Sequence, residues 1–543
     1  MRSYPFIAMI LLLLAACGQK AADPVKVERD TTITRVNAFS ELFLDSVLVE
    51  GFIVSKQLED STASRLRNFY NSRNYQFAWF TRDGLAEQAS VFWNLHNQYI
   101  DYAQDSALMD EQLHSQMDLF LSGDTSYQPT AAVISHTELY LTQHFFDYVR
   151  HAYAGKMDPE ALKWHIPRKK VDAVALLDSL VQRKGEGLDK WEPLNRPYKL
   201  MQEKLYAYFA VSKGGGWDSL GLGKSKTLQR GDSNSLVAAL KKRLSLTGNH
   251  SPGDSSKMFN AALEASVKAV QKSFGFPPTG TVNASLLKAL NVPVKKRIEQ
   301  LLINMERMRW MPEELRANRI EANIPEFKIH VYEDTGQVFE IDVVVGKAGN
   351  NTVVFRDELK YIVFSPYWNI PTSIVKNEIL PAMQRNPAYL AAKNMEQTGT
   401  SNGLPVIRQR PGGSNALGRV KFLFPNSYSI YFHDSPAKSL FARTKRDFSH
   451  GCIRLSQPKK LAQYLLRHKP EWTEKRIDSA MDATVEKWVT LDKSIPVVIS
   501  YFTAWVDGDG TLNFREDIYR HDQEMADRMF VRARREPGIA KAK

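Results

Sequence analysis

The sequence contains very little cysteine. Its 543 residues include only two, Cys17 and Cys452. A framework of disulfides is therefore excluded, and the fold must be held together by its hydrophobic cores. If Cys17 is consumed by modification, Cys452 is left as a single free thiol, the side chain that nucleophilic catalysis by thiolate requires.

Long hydrophobic runs are missing beyond the first residues. Residues 1–17 combine a basic start with a nine-residue apolar run that ends at Leu14 and is too short to span a bilayer. The two alanines before Cys17 are typical of a secretory signal and resemble the lipobox of bacterial lipoproteins. We therefore expect a periplasmic chain, anchored by a lipid on Cys17 to an inner or outer bacterial membrane. The alternative is an ordinary signal peptide with a chance cysteine.

Motifs for metals and nucleotides are absent as well. The six histidines between positions 96 and 165 include no helical pair with an acidic partner, so we predict no zinc site. Gly223-Lys224-Ser225 resembles the end of a phosphate-binding loop, but Asp218 stands where that loop requires glycine. The segment 507–510 lacks the distal glutamate of a calcium loop and predicts a hairpin turn. We expect neither a cofactor nor a metal.

The chain has no excess of acidic residues. Lys and Arg number 72 against 60 Asp and Glu, for a formal charge of +12. A secreted chain does not meet nucleic acid, so we expect anionic envelope polymers or carboxylate-rich peptides as partners. Ordinary solvation of the surface explains most of the charge equally well. The length predicts roughly three to four domains of about 150 residues.

The first half of the sequence has a helical pattern. After a polar tether at residues 18–45, residues 46–210 carry apolar side chains at helical spacing, as in Leu66, Phe69 and Tyr70. We predict a helical scaffold domain. The aromatic residues between positions 69 and 80 could grip sugar rings, but their helical spacing favours a core.

A small module and a connecting helix follow. In residues 227–292, Leu236 begins a stripe of leucines at helical spacing, and two more helical segments share its apolar character. The run 265–291 resembles the peptidoglycan-binding-like three-helix domain, which leaves open whether the module contacts glycan or is a spacer. Residues 293–317 predict a connecting helix.

From residue 318 the apolar period changes to two. Ile320, Ala322 and Ile324 alternate as in a strand, and residues 318–520 predict a mainly antiparallel β domain. We expect the strands to stop within an insert at 372–417. In that insert Ile374–Met383 is predicted helical and Pro405–Asn415 a loop, together forming a lid over one end of the sheet.

The predicted fold class is therefore multidomain α+β. A helical scaffold and a three-helix module precede the β domain. We expect residues 521–543 to form a basic tail.

The segment around Cys452 contains candidate catalytic partners. His433, nineteen residues upstream at the end of a predicted strand, is the candidate general base. Gly451 allows close approach of the backbone, and the amides beside it can face an oxyanion. Arg454 offers a forked donor for a substrate carboxylate. The alternative is that Cys452 and His433 are buried core residues. If each residue is considered by itself, this alternative is favoured.

Taken together, these residues resemble the L,D-transpeptidases. The run from Ser449 to Arg454, Ser-His-Gly-Cys-Ile-Arg, looks like the family signature, and Tyr431-Phe-His-Asp looks like its upstream histidine segment. The similarity extends to residues 361–371. The domain order is similar to that of large periplasmic members with a YkuD-type catalytic domain. One departure is Asn351-Thr-Val, where many members carry Thr-Pro, and we expect this edge to lie away from the thiol.

The resemblance implies roles for eight residues. It implies catalytic roles for Cys452, His433 and Gly451. The implied substrate contacts are His450, Ser449, Arg454, Trp368 and Tyr431, of which Trp368 and Tyr431 either line the cleft or belong to a core.

The resemblance also implies a reaction. Cys452 would attack a tetrapeptide stem of peptidoglycan, release D-alanine and pass the acyl group to a neighbouring stem as a 3→3 cross-link. It further implies acylation of Cys452 by carbapenems. Three alternatives remain open: an L,D-carboxypeptidase, attachment of a lipoprotein to the wall, and a non-catalytic peptidoglycan-binding scaffold.

Overall fold

The computed structural model describes residues 26–187, 194–223, 226–312 and 317–530. The predicted signal peptide, the lipidation of Cys17 and the end of the predicted basic tail lie outside the described residues. The chain divides into a first unit, Met1–Val149 with Asp172–Trp191, and a second unit, Arg150–Val171 with Glu192–Lys543. No helix among the described residues is long and apolar enough to cross a membrane.

The first unit is helical, as predicted. Aspartates at positions 45, 110 and 172 cap α1, α4 and α6 by accepting backbone hydrogen bonds. Phe69, Tyr70 and Trp79 are fully buried, which confirms the core interpretation of the aromatic segment. The elements are α1 (Ser46–Ser55), α2 (Asp60–Asn71), β1 (Phe80–Thr81), β2 (Gly84–Leu85), α3 (Glu87–Ala103), α4 (Glu111–Leu121), α5 (Ala131–Val149) and α6 (Ala173–Gln182).

A buried carboxyl group ties this core together. Glu138 on α5 accepts hydrogen bonds from the amides of Ala78 at 2.6 Å and Trp79 at 2.9 Å, and from the Tyr70 hydroxyl at 3.0 Å. Burial raises the pKa of Glu138 to about 7, against the pull of these hydrogen bonds. These three hydrogen bonds hold the segment between α2 and β1 against α5.

The second unit begins with short elements and contains the predicted three-helix module. Asparagines at positions 234, 260 and 283 cap its three helices, and Leu240, Val267 and Leu286 fill its core. The elements are a π-helical turn (Arg150–Ala154), β3 (Trp164–His165), α7 (Arg196–Lys213), β4 (Thr227–Leu228), α8 (Ser235–Ser245), α9 (Ala261–Ser273), β5 (Val282–Asn283), α10 (Ala284–Leu290) and α11 (Val294–Trp310).

The β domain is a sheet that closes on itself. Its strands are β6 (Arg319–Asn323), β7 (Lys328–Glu333), β8 (Gly336–Gly346), β9 (Val354–Phe364), β13 (Val420–Leu423), β14 (Phe432–His433), β15 (Asp447–Ser449), β16 (Ile453–Leu455) and β17 (Lys487–Ser500). The ladder runs β13-β14-β16-β8-β7-β6-β17-β9, and β13 also pairs with β9. Because the first and last strands pair, this ladder has no free edge at the junction.

The insert contains strands that the sequence analysis did not predict. The structure has β10 (Trp368–Asn369), β11 (Met395–Ser401) and β12 (Leu404–Gln409) in one small sheet. The expectation that strands stop between Pro371 and Leu417 was therefore wrong, and much of the predicted loop Pro405–Asn415 is strand β12. The predicted helix at Ile374–Met383 is present as α12 (Thr372–Ile374), a π-helical turn (Val375–Ile379) and α13 (Leu380–Arg385), followed by α14 (Tyr389–Ala392).

The rest of the domain packs around the closed sheet. The predicted turn at Asp507–Gly510 joins a hairpin, β18 (Ala504–Val506) and β19 (Leu512–Phe514). Three more helices are α15 (Pro458–Leu465), α16 (Glu474–Met481) and α17 (His521–Met529).

Candidate active site

The register of two adjacent strands brings the predicted catalytic residues together. β14 and β16 are parallel, with Phe432 opposite Ile453 and His433 opposite Arg454. Phe432 and Ile453 are fully buried in the core. Since side chains alternate along a strand, His433 and Arg454 face away from that core.

The same register extends to the thiol. Ile453 N–H donates to Tyr431 O at 3.2 Å, which aligns Cys452 beside Tyr431, two residues before Arg454 and His433 on their strands. The four side chains therefore lie on one face of the strand pair. Cys452 and His433 are diagonal neighbours on that face.

The Cys452 thiol is half-buried and neutral at neutral pH. Its Sγ donates to Ser429 O at 3.5 Å. Burial raises the pKa of Cys452 to about 11, although hydrogen bonds from Tyr431 and the charge of Arg454 favour the thiolate. The resting site therefore holds a protonated nucleophile.

The imidazole of His433 is oriented as a base. Its Nδ1 donates to the carbonyl oxygen of Asp434 at 2.5 Å, which leaves Nε2 as the unprotonated acceptor. Burial, followed by the nearby Arg454 charge, lowers the pKa of His433 to about 4. The imidazole is therefore neutral at physiological pH and able to take a proton.

The Asp434 side chain fixes the backbone beside His433. Its carboxylate accepts from Ser435 N at 2.7 Å, from Arg419 N at 2.9 Å and from Lys438 Nζ at 2.5 Å. Gly418 has φ +63°, and a Cβ there would lie 2.4 Å from this carboxylate. In the sequence, Asp434 is only the residue that follows His433 in the histidine segment, and no role was predicted for it.

Gly451 and Ser449 shape the loop before the thiol. Gly451 has φ +119°, in the left-handed half of the map that favours glycine. Ser449 is buried, accepts from Gly451 N at 3.1 Å and donates to Cys452 O at 2.5 Å. Its hydroxyl therefore already makes two hydrogen bonds within the loop, and the predicted contact with substrate stays a prediction. The Gly451 amide is also occupied, which leaves the Cys452 amide as the candidate oxyanion donor.

Thr352 lies against this loop. Its Oγ1 donates to Gly451 O at 2.7 Å and accepts from Gly346 N at 2.9 Å. The expectation that the segment around Thr352 lies away from the thiol was therefore wrong. This contact could not be predicted from local sequence patterns, because Thr352 precedes Gly451 by 99 positions.

The other predicted substrate residues have different surroundings. His450 Nε2 lies 3.0 Å from Glu378 Oε1 in the π-helical turn of the insert, and both side chains are exposed. Trp368 is half-buried against the small apolar core of the insert, formed by Ile370, Val375, Ile379 and Ile407. Arg454 Nε is buried and has no hydrogen-bond partner within the described ranges. Arg454 therefore retains an unused donor on the face that carries Cys452.

A polar cavity of about 650 Å³ opens where β14 and β16 end. Ser435 and Ser456, which continue the two strands, line it. Arg419, Lys438 and Lys459 also line it, and each pairs with a carboxylate. The described part of the chain has no group of His, Cys, Asp and Glu suited to a metal ion.

Comparison with known families agrees with this architecture. Residues 317–499 match the model of the L,D-transpeptidase catalytic domain (YkuD), residues 64–205 match a scaffold domain, and residues 233–290 match a peptidoglycan binding domain. The chain thus carries a catalytic domain of the L,D-transpeptidase family, together with a scaffold domain and a peptidoglycan-binding domain.

The match to an individual curated protein covers less than half of the chain. A Haemophilus influenzae protein named "Putative L,D-transpeptidase" is 30% identical over 242 residues, which cover 42% of this chain and 49% of the relative. The chain therefore spans about half the length of that curated relative.

Solved structures give weak overall superpositions. An L,D-transpeptidase of Xylanimonas cellulosilytica is 15% identical, with a TM-score of 0.18 over 51% of this chain and 98% of that chain. One from Stackebrandtia nassauensis is 13% identical, with a TM-score of 0.21 over 51% of this chain and 95% of that chain. TM-scores this low add nothing to the family match.

Proposed function

We propose that the chain is an L,D-transpeptidase that forms 3→3 cross-links in peptidoglycan through a thioester on Cys452. The observation that carries the proposal is the shared face of β14 and β16, on which a thiol, a neutral imidazole and a guanidinium are adjacent. The match of residues 317–499 to the catalytic-domain family supports the same reaction class.

The first half-reaction is acylation. His433 Nε2 takes the thiol proton as the sulfur attacks the carbonyl of the third residue of a tetrapeptide stem. The tetrahedral oxyanion is met by the Cys452 amide. When the C–N bond breaks, the protonated imidazole returns the proton to the departing D-alanine amine, and the acyl group stays on sulfur.

The second half-reaction resolves the thioester. The side-chain amine of a diamino acid in a neighbouring stem attacks the thioester carbonyl while His433 removes a proton from the amine. The C–S bond breaks, the thiol recovers its proton, and a new amide joins two stems. Water in place of the amine would give the tripeptide product of an L,D-carboxypeptidase.

The electrostatics of the site support proton transfer during the reaction. Thiol and imidazole are both neutral at rest, because burial moves their pKa values to about 11 and about 4. Arg454 favours the thiolate and opposes the imidazolium, so it helps attack and speeds return of the proton. Its unpartnered Nε also suits a carboxylate of the stem.

We also propose binding partners and a location for the chain. The polar cavity at the ends of β14 and β16 accommodates part of a stem peptide, and the three-helix module contacts glycan. Carbapenems acylate Cys452, and a lipid on Cys17 holds the chain in the periplasm. A Cys17→Ser variant that still partitions with membranes would refute the anchor, and soluble recovery would support it.

Product analysis tests the central proposal. Purified protein is incubated with a disaccharide-tetrapeptide, and products are separated and weighed by mass spectrometry. Cross-linked dimers with loss of D-alanine support the transpeptidase. Tripeptide monomers alone would replace it with the carboxypeptidase, and unchanged substrate would refute both.

A further inference from the structure

A tyrosine far along the chain is joined to the nucleophile loop through Thr352. Tyr519 is buried, and its hydroxyl donates to Gly346 O at 2.5 Å and accepts from Thr352 N at 3.3 Å. Thr352 Oγ1 in turn accepts from Gly346 N and donates to Gly451 O at 2.7 Å. These contacts, which we call the Tyr519–Thr352 relay, connect three separate segments behind the thiol.

Hydrogen bonds and close packing restrain the residues of the Tyr519–Thr352 relay. Tyr519 N donates to the Tyr501 hydroxyl at 2.9 Å, which donates to Asp517 Oδ1 at 2.7 Å. Gly346 also has no room for a side chain, since a Cβ would lie 2.1 Å from Asn350 O. Thr352 and Tyr519 therefore have little freedom to move independently of β8.

The bond to Gly451 O determines the direction of the next amide. The Gly451–Cys452 peptide is planar and trans, so its carbonyl and its N–H point in opposite directions. A hydrogen bond that fixes Gly451 O on the Thr352 side therefore aims the Cys452 N–H away from Thr352. Ser449 fixes the peptides on either side of this one, through Gly451 N and Cys452 O. The peptide in between is controlled by Thr352.

We propose that Thr352 and Tyr519 are positioning residues that hold the Cys452 amide in place as the oxyanion donor of the acyl transfer. This inference rests on the proposed function, because it requires an acyl-transfer step at Cys452. It adds a requirement for two residues that lie outside the Ser-His-Gly-Cys-Ile-Arg signature.

The test compares two reactions of Cys452 in the full chain. Acylation by a tetrapeptide stem or a carbapenem develops an oxyanion, whereas alkylation by iodoacetamide does not. Thr352→Val keeps the shape of the side chain and removes the hydroxyl, and Tyr519→Phe removes the other hydroxyl. We expect each to lower kcat about 10- to 100-fold, with less than about a twofold change in KM. The alkylation rate should change less than about threefold.

Two further variants separate positioning from stability. Thr352→Ser retains the hydroxyl and should restore most of the acylation rate. Thr503→Val is a matched control: Thr503 is a buried threonine of the same unit whose Oγ1 donates to Asp522 at 2.5 Å. It should lower the melting temperature without a selective loss of acylation.

The outcomes are distinct. Equal losses in acylation and alkylation, or equal losses in Thr352→Val and Thr503→Val, would overturn the relay as a positioning device. Wild-type acylation rates in Thr352→Val and Tyr519→Phe would also overturn it. A wild-type chain that is not acylated at all would instead refute the proposed function.

Discussion

The cluster around Glu138 in the first unit differs from the thiol face of the second unit, which is the face of β14 and β16 that carries Cys452, His433 and Arg454. The difference lies in how fully the polar groups of each are hydrogen-bonded. Around Glu138, two amides and a tyrosine hydroxyl are all used as donors to one buried side chain. Around Cys452, the thiol donates to Ser429 O at 3.5 Å and hydrogen bonds from Tyr431 favour its thiolate form, while Arg454 Nε is buried without a partner in the described residues. The first arrangement is complete, and the second retains unused hydrogen-bonding capacity.

We interpret this difference as the difference between a structural cluster and the proposed reactive one. An unpartnered buried donor costs roughly 1–3 kcal/mol, so folding alone would select against it. We interpret the unpartnered Arg454 Nε beside Cys452 as a donor held for a substrate. The comparison predicts that changes at Glu138 affect stability, whereas changes on the thiol face affect chemistry.

The largest expected effect is the loss of the nucleophile. Cys452→Ala removes the atom that carries the acyl group, so turnover should fall at least about 10⁴-fold. The melting temperature should change little, because a half-buried thiol contributes little packing. Muropeptide analysis and thermal unfolding measure the two quantities. Residual turnover near the wild-type value would remove Cys452 from the reaction and end the contrast between the two sites.

The buried carboxyl group should dominate the pH dependence of stability in the first unit. The folded pKa of Glu138, about 7, lies above its ordinary value of 4.5. Its contribution is therefore complete below pH 4.5 and is lost as the pH rises through 7. The expected loss is about 3 kcal/mol in the free energy of unfolding. Denaturant unfolding between pH 4 and about 8 measures this contribution.

A matched variant sharpens that prediction. Glu138→Gln cannot ionise, so it should remove this part of the pH slope. Alkylation of Cys452 should be unchanged in it. A slope that survives the substitution would assign the pH dependence to other groups.

Charge on the thiol face should set the reactivity of Cys452. Arg454→Met removes the charge that favours the thiolate, so the pKa of Cys452 should rise above about 11 and that of His433 above about 4. Each unit of increase at Cys452 slows iodoacetamide alkylation at pH 8 about tenfold. Arg528→Met, at an exposed pair with Glu524, is the control and should have no effect. Faster alkylation in Arg454→Met would contradict the assigned direction.

The smallest effect is expected at the contact between the insert and the nucleophile loop. His450 and Glu378 are both exposed, and exposed pairs contribute at most about 1 kcal/mol. A double-mutant cycle with His450→Ala and Glu378→Ala should give a coupling below about fivefold in kcat/KM. A coupling above tenfold would make this pair part of the reactive face.

Much of this arrangement was predictable from sequence. The alternation around Ile320 predicted a strand, and the spacing of Leu66, Phe69 and Tyr70 predicted a buried helix face. Both follow from local periodicity. His433 and Cys452 could be singled out because one thiol and few histidines remain in the second half of the chain.

Some strands and contacts could not be predicted from the sequence, for physical reasons. Strand β11 reads Met-Glu-Gln-Thr-Gly-Thr-Ser and is mostly exposed, so it has no apolar alternation to detect. Strand β14 has only two residues, and its register with β16 is a long-range property. The roles of Thr352 and Tyr519 come from contacts across 99 and 173 positions, which no local pattern encodes.

The most direct test of the account is the mass of the enzyme during turnover. Purified chain is mixed with a tetrapeptide stem, quenched in acid and digested, and the peptide that contains Cys452 is weighed. The account predicts a peptide heavier by the tripeptide acyl group, formed together with free D-alanine and absent from Cys452→Ala. An unmodified Cys452 peptide during product formation, or the same adduct in Cys452→Ala, would contradict it.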